Sequence, residues 1–89
     1  MMRIAYSRRF LRDFARLHKD LQKEVVEKVE LFKDPRNHRS LRVHKLKGKL
    51  EGRFGFSVNY KFRILFQYVS KRTREVVLLT VGDHDVYKS

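Results

Sequence analysis

The chain has 89 residues, 42% of them hydrophobic, which suffices for one small core and not for two. Its 22 Lys and Arg outweigh 10 Asp and Glu, and the formal charge of +12 draws polyanions: nucleic acid, an acidic protein or an anionic membrane. Cysteine is absent, which excludes a disulfide framework and a thiolate metal site, and no apolar run approaches the roughly 18 residues of a membrane span.

Residues 2–6 form a short apolar run that reads as a first strand, closed by Ser7, a helix N-cap whose hydroxyl can accept from the following turn. Phe10, Leu11, Phe14 and Leu17 then recur at helical spacing among Arg8, Arg9, Arg12 and Arg16, an amphipathic basic helix. Asp20 is the expected cap of a second helix carrying Leu21, Val25, Val29 and Phe32 on one stripe. That helix stops near Lys33 because the residue before Pro35 is pushed out of the α region. The two helices make an αα-hairpin.

Residues 36–40 are loop-like, and residues 41–52 (LRVHKLKGKLEG) read as an extended, partly irregular approach to a sheet. Phe54, Phe56 and Val58 alternate with Gly55, Ser57 and Asn59, a strand with one buried face. Residues 60–69 and 75–82 follow as strands around a hairpin loop at 70–74. The order β-α-α-β-β-β predicts an α+β domain over residues 1–89, with a helical hairpin on a four-stranded, mostly antiparallel sheet.

Parity sends Phe62, Ile64, Phe66 and Tyr68 toward the helices and Lys61, Arg63, Leu65, Gln67 and Val69 to a face with no helix to cover it. Arg63 is then either a phosphate-gripping fork or a cross-strand arginine whose stem covers apolar surface. His84 follows Gly82 at the last strand's end, between Asp83 and Asp85, and can exchange protons near neutral pH or be an ordinary surface histidine. His18, His38, His44 and His84 show no metal-ligand spacing, and no metal or cofactor is expected. Neither a serine triad nor a phosphate-cradling glycine loop can be read from the spacing. The excess of cations favours a salt-sensitive phosphate grip.

The runs LKGKLEGRFGFSV, YKFRILF and VLLTVGDHDVY, in this order, resemble the RelE/ParE superfamily of toxins from type II toxin–antitoxin systems. The resemblance covers element order over nearly the whole chain and motifs over residues 46–87. It implies a RelE-like fold and an mRNA endoribonuclease acting on the ribosome, in which a ribose 2′-hydroxyl attacks the adjacent phosphate. Carried over by position, it assigns phosphate stabilisation to Arg63 and proton transfer to His84. Tyr87 would orient the substrate or stack on a base, and His44, in H-K-L-K-G, matches members with a histidine-rich site. Ser57 and Lys61 stand where those members place a second histidine and an aspartate, so the general base has no assured owner. Lys45, Lys47, Lys49, Arg53 and Lys61 are the expected RNA-binding cations. The implied partners are a cognate antitoxin, mRNA and the ribosome, with operator DNA bound only through the antitoxin, in a cytoplasmic protein with no membrane partner. The alternatives of the same fold are a ParE-like gyrase inhibitor and a catalytically silent RNA- or protein-binding module.

Overall fold

A computed structural model describes residues 1–88. Within them β1 (Arg3–Tyr6), α1 (Arg8–Arg16), α2 (Lys19–Phe32), β2 (His44–Lys45), β3 (Phe54–Ser57), β4 (Arg63–Ser70) and β5 (Glu75–Gly82) are joined by 3₁₀ turns at Pro35–Asn37 and Gly48–Leu50 and followed by one at His84–Lys88. The sheet order is β1-β5-β4-β3-β2, with β1 parallel to β5 and the remaining pairs antiparallel. The described residues thus carry five strands rather than four, because two residues of the irregular 41–52 stretch pair with β3 (His44 with Gly55, Lys45 with Phe54).

The helical hairpin forms where the apolar spacing placed it. Ser7 caps α1 by accepting from the Phe10 N–H at 3.0 Å, and its hydroxyl donates to the Leu79 carbonyl at 2.9 Å, tying the helix start to β5. The expected cap at Asp20 is corrected: His18 is the N-cap of α2, without a side-chain bond, and Asp20 lies in the first turn. There its carboxylate faces the positive end of the helix dipole, the other use of an acid at a helix start. Of the residues placed on the apolar stripe of α1, Phe10 is buried and Leu11 is half exposed.

The core lies between this hairpin and the sheet. Phe32 stacks on Phe56 at 4.3 Å and meets Phe66 edge-on at 4.8 Å, all three wholly buried with Ile64 and Leu78. The strand expected from residue 60 starts at Arg63. The Asn59 side chain accepts from the N–H groups of Lys61 and Phe62, and Val58 N–H donates to the Phe62 carbonyl, closing a tight loop. Beyond it the expected parity holds, with Ile64 and Phe66 under the helices and Arg63 and Leu65 on the opposite face.

That opposite face is not bare, as parity alone suggested. Leu65 is buried under Leu50 and Val86, with Leu46, Leu79 and Tyr87 packed around them. A register shift opposite Leu65/Phe66 leaves Leu79 without a partner on β4, a β-bulge that directs it into this small cluster.

Candidate functional site

Four elements converge on the second face, above Gly55. Since directly paired residues share a face, His44 on β2, Gly55 on β3 and Leu65 on β4 lie in one row, and Ser57, Arg63 and Gly82 form the next. The C-terminal turn then folds back over the sheet. Its anchor is Val86, buried against Gly82 so closely that a Cβ built there would lie 2.7 Å from Val86 Cγ1. The turn sets Tyr87 over Gly55, where an added Cβ would stand 3.5 Å from the tyrosine hydroxyl.

Tyr87 is the hub. Its ring lies 6.3 Å from that of His44 and 5.9 Å from that of His84, centroid to centroid. The Arg63 guanidinium is near enough to act on its hydroxyl electrostatically. Burial raises the phenol's pKa above its ordinary value and the nearby Arg63 partly offsets this, so the hydroxyl is protonated at neutral pH and can donate.

The Arg63 fork is held from below. Nη1 donates to the Asn59 carbonyl at 2.6 Å and the Phe62 carbonyl at 3.0 Å, so the loop closed by Asn59 aims the guanidinium. Nε and Nη2 carry the donors that remain, in the paired geometry that suits a phosphate. Asn59 had no visible role in the sequence; its Asx geometry is the signal that could have marked it.

His44 is exposed, and its Nδ1 lies 2.7 Å from the Arg42 carbonyl. A carbonyl only accepts, so Nδ1 carries the proton, and in the neutral ring Nε2 is then the nitrogen with the lone pair, the arrangement a general base needs. His84 is exposed beside Tyr87. His38 is structural: it stacks on Phe32 at 4.8 Å with Nε2 2.8 Å from the Phe32 carbonyl. Among the described residues no three His, Cys, Asp or Glu gather as a metal site.

The five expected RNA-binding cations do not share one face. Lys61 is exposed on the Asn59 loop beside Arg63, and Lys47, Lys49 and Arg53 are exposed around the Gly48–Leu50 turn. Lys45 pairs with Phe54 and therefore points to the helix side of the sheet, away from His44. It lines an open cavity of about 860 Å³ with Lys47, Arg53, Phe54, Tyr68 and Lys71. Lys71 stands 5.8 Å from the centroids of both aromatic rings there.

No family model and no curated protein matches the chain. Solved structures do. One is the toxin–antitoxin complex RelBE2 from Mycobacterium tuberculosis, with TM-score 0.75 and 21% identity over 93% of this chain and 91% of that one. The archaeal RelE–RelB complex from Pyrococcus horikoshii OT3 matches with TM-score 0.71 and 13% identity over 92% and 93%. YafQ from E. coli matches with TM-score 0.70 and 16% identity over the full length of both chains. The chain has the α+β fold of RelE-like toxins, as its motifs anticipated.

Proposed function

We propose that this chain is the toxin of a type II toxin–antitoxin system and cuts messenger RNA on the ribosome. The observation that carries the reading is the meeting of two histidines, a tyrosine and an oriented arginine over Gly55. His44 Nε2 takes the proton of a ribose 2′-hydroxyl, whose oxygen attacks the adjacent phosphorus. Arg63 pairs with the non-bridging oxygens as charge builds on them. The bond from phosphorus to the 5′-oxygen breaks and His84, entering protonated, donates to the leaving oxygen. The products are a 2′,3′-cyclic phosphate and a free 5′-hydroxyl. The protonated Tyr87 hydroxyl orients the phosphate beside Arg63, and Lys47, Lys49, Arg53 and Lys61 hold the flanking backbone.

A protein partner is also part of this reading. Tyr6, Phe10, Leu11, Phe14, Val25 and Val26 line an apolar groove of about 230 Å³ on the helical hairpin, and Leu11 and Val26 are more than half exposed. An antitoxin covers that groove and neutralises part of the +12 charge in this reading, which is supported by the fact that solved structures of the same fold include toxin–antitoxin complexes, and operator DNA is reached through the antitoxin.

Primer extension on an mRNA with and without translating ribosomes tests the reading. Cuts that require ribosomes and vanish in Arg63→Ala are expected. Intact mRNA together with inhibited gyrase supercoiling would replace it with the ParE-like alternative.

A further inference from the structure

The residue that makes His44 a competent base is two positions upstream and contributes no side chain to the site. Arg42 has φ 59, the left-handed region that an L side chain enters at a cost. The surrounding bonds hold it there. Leu41 is buried, its N–H donates to the Asn37 carbonyl and its carbonyl accepts from Ser57 on β3 at 2.9 Å. Arg42 N–H donates to Arg39 and Val43 N–H to His38. These bonds fix the peptides on both sides of Arg42 and leave its own carbonyl to the His44 ring, 2.7 Å from Nδ1.

We propose that Arg42 is a positioning residue: its left-handed turn holds a carbonyl under His44 Nδ1 and so selects the tautomer whose Nε2 lone pair faces substrate. A solvated imidazole prefers the proton on Nε2, the wrong nitrogen for a base that attacks from that side. The exposed guanidinium of Arg42 is not the agent. This deepens the nuclease reading and rests on it for the role of His44, while the tautomer itself is a property of the resting protein.

The test is the two-bond proton–nitrogen spectrum of the histidine rings in the full chain, taken with the imidazoles neutral. Wild type is expected to show His44 protonated at Nδ1. Arg42→Gly, which favours the left-handed turn without the side chain, keeps that state, whereas Arg42→Val, a β-branched residue that resists the turn, moves the proton to Nε2. In the cleavage assay Arg42→Val lowers kcat by about tenfold or more with KM unchanged, and Arg42→Gly recovers the loss. An Nε2-protonated His44 in wild type overturns the proposal, as does an Arg42→Gly spectrum that matches Arg42→Val. The spectrum needs no substrate, so a protein that cuts no RNA yet shows the Nδ1 proton refutes the nuclease reading alone.

Discussion

On the helix side of the sheet Phe32, Phe56, Phe66, Ile64 and Leu78 are wholly buried, and the Phe56 and Phe66 rings lie within 5 Å of that of Phe32. On the other side, among the described residues, the buried apolar set is Leu50, Leu65 and Val86, and the rest of the surface carries Arg63, Tyr87 and two exposed histidines. The two faces share a backbone and divide the labour. One removes apolar area from water and stabilises the chain, while the other holds polar groups over a glycine where a side chain would crowd them. Damage to the first should unfold the protein, and damage to the second should silence it while it stays folded.

The largest expected effect breaks the first face. Phe32→Ala deletes the ring against which three other rings pack and should cost about 3–5 kcal/mol of stability in urea unfolding. Next, Arg63→Ala should lower cleavage by about 10²–10³, a transition-state loss of about 3–4 kcal/mol, with a much smaller change in the urea midpoint. Equal losses of stability in the two variants would erase the distinction between the faces.

Gly82→Ala tests how the second face is assembled. Its new methyl would stand 2.7 Å from Val86 Cγ1, so the C-terminal turn must lift, and overpacking of this kind costs about 1–3 kcal/mol. The expected result is loss of ring contacts between Tyr87 and both histidines and reduced cleavage, with the Phe32 cluster intact by NMR.

The smallest effect is a titration. Burial favours the neutral phenol of Tyr87, so its folded pKa lies above the ordinary value of 10.0. For a group whose neutral form is favoured, the stability contribution is complete below the unfolded pKa and is lost as pH rises through the folded one. Ultraviolet titration should find Tyr87 ionising above the ordinary 10.0. In Arg63→Ala its midpoint should move higher still, because the arginine's charge is what lowers it. A midpoint unmoved by Arg63→Ala would separate the two side chains.

Legibility in the sequence followed the same division. The helix-side face repeats with regular periods, so Val25, Val29, Phe32, Ile64 and Phe66 could be placed from spacing alone. The second face is built from irregular backbone: the left-handed Arg42, the Asn59 loop that delays β4 to Arg63, and a turn packed on Gly82. None of these has a period. Arg63 and His84 could be singled out from parity and position, but their roles, and Tyr87 and His44, came through motif resemblance, and the proximity of both histidine rings to Tyr87 came from the fold. Lys45 shows the limit of composition: it is next in sequence to His44, and the pleat sends it to the other side.

The central claim is that the second face cuts RNA through the ribose 2′-hydroxyl. The most direct measurement uses ribosome complexes carrying an mRNA with a single 2′-deoxy substitution at the mapped cut, with end-group analysis of the all-ribose control. The account predicts a cyclic or 3′-phosphate and a 5′-hydroxyl from the control, and no cut at the substituted position. Cleavage that persists past the missing 2′-hydroxyl, or products ending in a 3′-hydroxyl and a 5′-phosphate, would contradict it.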